Sequence, residues 1–484
     1  MASVCAGSHF CVRRIMFLCG YVHMEEKRRR KDLETDGRKN LTGRYALAQC
    51  FFWAVRSALT AFAALYLQEK GVGASFTGVF LAVVSVMPAL IMPYVAGRAD
   101  RSEKHGLRFF FYVSAGLLAA ALLVLIPLQK AIAGGRGGLL FGGLSGADDS
   151  VVPALRLSGA GFLLFYFCAL VLASVPEPFL NSMSGYYERH HFRVNFGMGR
   201  GIGSLSFALS SFVIGHTVSL WSVDLIPGFA LACILLCGAS VALLPPVLPA
   251  GTETTPADRA EKSGRDENRG TDQNMNRSTD LFSFLRRYPR YTVLMAGFFF
   301  TAIFHTMTET YIFNMMEHLG GDSGSAGTAL LIANVAEFAV IFNYERFRKK
   351  MSGSRWLVLT ACLFFLKAVL FHFAPNLPFM YGAQALQAVT FGFYAPSVVH
   401  FAEEEVLPAD AVRGQTVFMS AFMLGGCFGN LSGGLLLGSF PVPVMTGAAM
   451  GSAALGAAIA LLTLRMRGSR IHTREEGKQK RSIT

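Results

Sequence analysis

Twelve runs of roughly 20 largely apolar residues recur along the chain, and that repetition decides what it can fold into. An α-helix of that length crosses ~30 Å of hydrocarbon, where only elements that satisfy their own backbone hydrogen bonds survive. The runs lie near 45–68, 74–97, 107–128, 158–180, 201–219 and 226–244, then near 291–315, 325–343, 355–374, 378–401, 415–438 and 442–464. A long polar stretch separates the two sets of six. The expected fold is an all-α membrane protein of twelve transmembrane helices in two six-helix bundles, numbered below as spans 1 to 12. Only 15% of the residues are charged, against about a quarter in soluble proteins, which fits a surface that faces lipid.

Lysine and arginine orient the chain. With both termini in the cytoplasm, 38 of the 44 fall in cytoplasmic segments, and only Lys70, Lys130, Arg136 and Arg156 lie on the opposite side. Short loops rich in Lys and Arg stay inside, so a multi-pass protein of the inner cell membrane with both ends cytoplasmic is expected. Topology thus accounts for the net charge of +13 without any nucleic-acid partner. The nine cysteines are scattered. Cys233 and Cys237 stand at i,i+4 with no His or acid nearby, so neither a metal site nor a cofactor is expected.

Five segments follow from this pattern. Residues 1–44 read as a disordered cytoplasmic arm. Residues 10–22 within it are apolar in patches, too short to span and interrupted by Arg13 and Arg14. The basic run after Met24 looks like an ordinary cytoplasmic start, so translation from Met16 or Met24 is expected. Residues 45–244 form the first bundle, and 245–290 form a cytoplasmic linker. That linker opens with Pro245, Pro246 and Pro249 and is too poor in apolar residues to offset its ordering entropy. The second bundle takes 291–465, and 466–484 is a basic tail. Residues 129–157 make a long loop on the outer side. The basic loops after spans 2 and 8, one with Gly97, Arg98, Asp100 and Arg101 and the other with Arg346, Arg348 and Lys349, form a weak internal repeat. Repeated halves suit secondary transporters.

Charged residues inside the bilayer are expensive, and those that persist usually line a cavity. In span 1, Gln49, Trp53, Arg56 and Thr60 fall on one helical stripe. Span 7 carries His305 and Glu309 at i,i+4, with Thr308 and Asn314 close by. Span 8 carries Asn334 and Glu337, span 9 carries Lys367 with His372 beyond it, and span 10 carries Gln384, Gln387, Phe391 and Tyr394. Two acids and two bases in the apolar zone permit two readings. One is a pair of structural salt bridges. The other is a cavity whose ion pairs exchange with a substrate and a proton, loaded through Glu337, Glu309 or His305. Glycines 197, 199, 201 and 203 in span 5 and 425, 426, 429, 433 and 434 in span 11 let helices approach and slide, although static packing would look the same. No strand precedes them and no Lys-Ser/Thr follows, so they are not phosphate loops.

This arrangement resembles the major facilitator superfamily over about residues 41–465, and most closely its lactose-permease-like branch of oligosaccharide and nucleoside proton symporters. Gly97, Asp100 and Arg101 are similar to the signature loop after helix 2, which implies a gate on the cytoplasmic side. Asn195, Phe196, Gly197 and Arg200 resemble the Phe-Gly-x-x-Arg entry to helix 5, which implies that Arg200 contacts substrate. Around Pro176 and Pro178 the end of helix 4 is similar too, with Asn181 or Ser182 where the family has its sugar-binding acid. Glu309 with Asn314, Glu337, and Lys367 in place of an Arg correspond to the polar residues of helices 7, 8 and 9. Gln387 and Thr390 replace the His and Glu of helix 10, which shifts proton coupling towards Glu337, Glu309 or His305.

The expected activity is alternating-access transport of a small polar solute, of the sugar or nucleoside class, by proton-coupled symport. The solute-binding candidates are Arg56, Asn181, Arg200, Glu337, Lys367 and Gln387, and a monomer in the lipid bilayer is the expected state. Two rivals keep the same fold: a drug or metabolite exporter, and a non-transporting receptor or assembly protein. No nucleophile–base set or metal-ligand spacing points to an enzyme.

Overall fold

The computed structural model describes residues 40–100, 106–133, 152–190, 192–245, 281–407 and 410–466. Most of the amino-terminal arm, most of the linker, the centre of the 129–157 loop and nearly all of the tail lie outside these residues. Span 1 is α1 (Thr42–Arg56), a π-helical turn (Ser57–Ala61) and α2 (Ala63–Glu69), bent by 48°. Spans 2 and 3 are α3 (Ala74–Asp100) and α4 (Leu107–Ala133). Span 4 is α5 (Val152–Leu172) continued by α6 (Pro176–Arg189). Spans 5 and 6 are α7 (Phe196–Leu220) and α8 (Leu225–Ala242). A short helix, α9 (Leu281–Arg287), forms within the stretch expected to be linker, and its Phe284 is buried.

Span 7 is α10 (Pro289–Thr310) with α11 (Ile312–His318). Spans 8 and 9 are α12 (Ser323–Arg348) and α13 (Gly353–His372). Span 10 is broken into α14 (Leu377–Ala385), a 3₁₀ turn (Leu386–Ala388) and α15 (Phe391–Glu405). Spans 11 and 12 are α16 (Ala411–Ser439) and α17 (Val442–Leu462). Among the described residues ten helices are long and apolar enough to cross a membrane, and the bent span 1 makes eleven. Broken span 10 occupies the remaining place in the twelve-span plan.

Within the first bundle α1 packs on α7 and α8, and α4 on α5 and α8. Within the second, α10 packs on α16 and α17, and α13 on α15 and α17. The bundles meet where α7 crosses α12 and where α3 crosses α16. Both crossings run backbone on backbone. A Cβ added at Gly215 of α7 would lie 2.5 Å from the Ser323 carbonyl oxygen, and one at Gly327 of α12 would lie 2.6 Å from that of Ser211. At the other crossing, a Cβ at Gly78 would lie 2.8 Å from the Asn430 carbonyl oxygen, and one at Gly434 2.6 Å from that of Ala74. Lipid tails are as apolar as leucine, so helices in a bilayer associate through such close packing and through polar contacts.

The two crossings are copies of each other. Gly71 and Gly320 both sit at φ +79°, a left-handed conformation that ends the first span of each bundle. Val72 N–H donates to the Leu67 carbonyl at 3.0 Å and Gly321 N–H to that of Met316 at 2.8 Å, the same Schellman closure twice. The first span of each bundle also kinks at matching places, Phe62 (φ −104°) and Tyr311 (φ −105°). Adding 249 to a residue number carries Phe62 to Tyr311, Gly71 to Gly320 and Gly78 to Gly327. This duplication is independent of the basic-loop repeat.

Both crossings lie on the side opposite the basic loops. Polar contacts reinforce them there. Asn314 Nδ2 donates to Gln68 Oε1 at 2.8 Å, the Ser219 hydroxyl donates to Asp322, and His216 Nε2 meets Thr328 Oγ1 at 3.2 Å. The Ser219 hydroxyl and the Ser325 N–H hold the Asp322 carboxyl below the usual aspartate range. Towards the basic face the bundles diverge. Phe338 is the last α12 ring against α7, close to Gly201, and Phe342 one turn further on is 78% exposed. The space between the bundles therefore opens on the basic side.

Replacing Gly327 with Val drives a side chain into the α7 backbone. Its thermal unfolding midpoint in detergent should fall by several degrees, on the order of 2 kcal/mol. Gly451→Val, where a Cβ meets nothing within 4 Å, should leave the midpoint unchanged.

Candidate functional site

Where the bundles part, a cavity of about 330 Å³ opens between them. The first bundle contributes Trp53, Thr60, Ala61, Arg200, Ser204 and Phe207 to its wall. The second contributes His305, Glu309, Thr310, Leu330, Asn334, Glu337, Gln387 and Phe391. Backbone irregularities in both bundles present several of these groups. In span 1 the Thr60 hydroxyl donates to the Arg56 carbonyl at 2.6 Å, inside the π turn. A π turn inserts an extra residue and shifts the helical phase. The shift falls after Arg56, so it moves Thr60 relative to Gln49, Trp53 and Arg56, which all lie in regular α1. Trp53 and Thr60 face the cavity, whereas Arg56 does not line it. Arg56 Nη1 instead donates to Ser174 Oγ at 2.7 Å, at the joint between α5 and α6, and its buried Nε has no hydrogen-bond partner among the described residues.

Asn181 also stands behind the wall. Its Oδ1 accepts a hydrogen bond from Gln49 Nε2 at 2.9 Å. The same Nε2 donates to the Tyr45 hydroxyl at 2.7 Å, and Gln49 Oε1 accepts from Trp53 Nε1 at 3.1 Å. Arg200 is in the wall. Its guanidinium lies 3.8 Å from the Trp53 ring centroid, and Nη1 donates to Ser204 Oγ at 3.0 Å.

On the opposite wall the break in span 10 sets Gln387 between three charged residues. Lys367 is fully buried, and its Nζ donates to Gln387 Oε1 at 2.6 Å while standing 3.6 Å from Glu309 Oε1. Gln387 Nε2 reaches Glu337 Oε2 at 3.5 Å, a long contact. This wall thus holds one ion pair, Lys367 with Glu309, and one carboxylate, Glu337, whose single hydrogen-bond contact among the described residues is the Gln387 amide. His305 is boxed by Phe364, Phe391 and Phe422 at centroid distances of 5.7, 4.9 and 6.0 Å, and its buried Nδ1 has no hydrogen-bond partner among the described residues.

The structure therefore brings Arg200, Glu337, Gln387, Glu309 and His305 to one cavity, with Lys367 directly behind. It sets Arg56 and Asn181 outside the lining. Of the gating loop, Gly97 and Asp100 fall in the last turns of α3, where nothing of their side chains is described, and Arg101 lies outside the described residues. Thr310 and Asn430 carry no charge and match no motif. Thr310 Oγ1 donates to Asn430 Oδ1 at 2.7 Å, and Asn430 Nδ2 donates across the bundles to Ser85 Oγ at 2.9 Å. Among the described residues no group of three or more His, Cys, Asp or Glu is placed to hold a metal ion.

Two duplicated bundles around a polar, one-side-open cavity define a membrane transporter of the major facilitator type rather than an enzyme. The chain belongs to the MFS_1-like family, whose match runs over residues 43–443. Solved structures agree on the fold. An aspartate-to-alanine mutant of the nucleoside transporter NupG is 13% identical with a TM-score of 0.66, over 88% of this chain and 100% of that one. A glutamate-to-glutamine mutant of the peptide transporter POT, in complex with alafosfalin, is 12% identical with a TM-score of 0.58, over 88% of this chain and 94% of that one. No curated protein matches the sequence.

Removing Lys367 leaves Glu309 without a counter-charge in a partly dry wall. Lys367→Met should destabilise the protein by about 2 kcal/mol, below the cost for a fully buried pair because Glu309 keeps 23% of its side-chain exposure. Adding Glu309→Gln to that variant should restore most of the loss. Thermal unfolding of the two single variants and the double variant in one detergent checks it.

Proposed function

We propose that the protein carries a small polar solute of the sugar or nucleoside class across the inner cell membrane, by proton-coupled symport and with both termini cytoplasmic. One observation supports this above the rest. Arg200 and Glu337 belong to opposite walls of the same cavity, each within electrostatic reach of the other, and neither makes an ion pair among the described residues. A polar solute between them gives hydrogen-bond partners to both walls at once and draws the bundles together on the open side. Closing that side and releasing the glycine crossings on the other is alternating access.

Proton coupling is assigned to Glu337, with Glu309 and His305 beside it. Glu337 is the carboxylate in the cavity without a cationic partner, so it is the acid free to gain and lose a proton as the solute comes and goes. Gln387 reaches it, and Lys367 holds Gln387 in place. Arg56 and Asn181, first expected to touch the solute, take supporting places behind the first wall. The basic loop at Gly97, Asp100 and Arg101 is assigned to gating on the cytoplasmic side. A drug exporter fits less well, because a lipophilic ligand would leave these polar groups without partners.

Uptake into proteoliposomes from a mixed pool of labelled sugars, nucleosides and amino acids, with and without an inward proton gradient, tests the proposal. Gradient-stimulated accumulation of a sugar or nucleoside, cut at least ~tenfold by Glu337→Gln, is the expected result. Accumulation that ignores both the gradient and the variant removes Glu337 from coupling, and no flux of any solute removes the symport reading.

A further inference from the structure

Arg200 is held against the face of a tryptophan. Its guanidinium carbon lies over the Trp53 indole, 3.8 Å from the ring centroid, its Nη1 donates to Ser204 one turn along α7 at 3.0 Å, and no acid pairs with it among the described residues. A guanidinium stacked on an indole keeps its N–H donors in the plane of the fork, free at the edge.

The indole is itself fixed from three directions. Nε1 donates to Gln49 Oε1 at 3.1 Å, and Gln49 is anchored through Nε2 to Tyr45 and Asn181 at 2.7 and 2.9 Å. A Cβ at Gly203 would lie 2.4 Å from Trp53 Cδ1, so the bare backbone of α7 is the bed on which the ring lies. Phe52 and Phe207 meet it edge-on at 5.8 and 6.4 Å. Tyr45 lies on Gly199 in the same manner, where a Cβ would come within 2.6 Å of the ring. Gly199 and Gly203 are thus a cradle for two aromatic rings of α1.

We infer that Trp53 is a positioning residue for Arg200, and that the stacked fork it sets out takes the paired acceptor oxygens of a vicinal diol on the solute. Asn181 acts through Gln49 and Trp53 in this scheme and touches no solute. The inference rests on the transport reading for its solute half and on geometry alone for the stack. A planar fork presents two parallel N–H groups, which suits two adjacent oxygens better than one. Freezing the fork before the solute arrives removes ordering entropy from the binding step.

Two experiments separate the halves. The chain has three tryptophans, so in Trp221→Phe/Trp356→Phe protein Trp53 is the sole indole emitter. The guanidinium covers one face of that ring, and adding Arg200→Gln should raise its acrylamide quenching constant about twofold. An unchanged constant overturns the stack. The second experiment is proteoliposome uptake of uridine and of lactose, both vicinal diols. Trp53→Leu and Arg200→Gln should each raise KM about tenfold. The double variant should do no worse than Arg200→Gln, and Trp53→Tyr should stay within about threefold of wild type. KM effects that multiply in the double variant would make Trp53 an independent contact and overturn the positioning role, as would lost Vmax at constant KM. Uptake by wild type of neither diol overturns the solute half, whatever the quenching shows.

Discussion

Everything in this molecule hangs on two places where helices from different bundles touch through bare backbone. Gly215 with Gly327, and Gly78 with Gly434, bring α7 onto α12 and α3 onto α16 closer than any side chain permits. In lipid there is no hydrophobic force to hold helices together, so contact of this kind carries the association. Because both crossings lie on one side, the bundles are shut there and apart on the other. The cavity follows from that geometry, and so does its chemistry. Arg200 and Glu337 escape the full cost of a dry interior because the gap between the bundles opens on the basic side.

The duplication explains the shape of the site, and its decay explains the chemistry. The same offset of 249 that relates the glycines carries Thr60 to Glu309 and Ala61 to Thr310. Both halves thus bend their first span beside the cavity and present the same backbone positions to it. The side chains have diverged. The first bundle supplies a guanidinium on an indole, and the second supplies two carboxylates with a buried lysine. A cavity polarised in this way distinguishes the two ends of a solute, which a symmetric one cannot do. The duplication also left a polar bridge at one crossing. Asn430 ties Thr310 in the cavity wall to Ser85 of the other bundle, whereas Asn334, related to Ser85 by the same offset, bonds to the Leu330 carbonyl of its own helix.

Much of the architecture was legible in the sequence because hydrophobic length and helix number are set residue by residue. The twelve spans, their grouping in sixes and the polar candidates Glu309, Glu337 and Gln387 followed from runs and interruptions, and Arg200 from the resemblance at the entry to span 5. The irregularities did not. A π turn at Ser57–Ala61 has no composition of its own, and it shifts the helical phase between Arg56 and the cavity-lining Thr60 and Ala61. The break at Leu386–Ala388 is equally silent in the sequence, yet it is what sets Gln387 between Lys367 and Glu337. The 249-residue repeat stayed hidden because it is kept by kinks and glycines, with little identity between. Asn181 matched a family position, but its role depends on Gln49 standing opposite, and helix rotation cannot be read from spacing alone.

The most direct test of the central claim, that the cavity is served from alternate sides, is a pair of distance distributions between spin labels. One pair, at Tyr94 and Met419, straddles the bundles on the basic side. The other, at Trp221 and Phe373, straddles them on the opposite side. Measured in nanodiscs at several pH values, the two should show two populations each, with the basic-side distance shortening as the opposite one lengthens. A single fixed distance on both sides at every pH would mean that the glycine crossings are permanent, and that the protein does not work by alternating access.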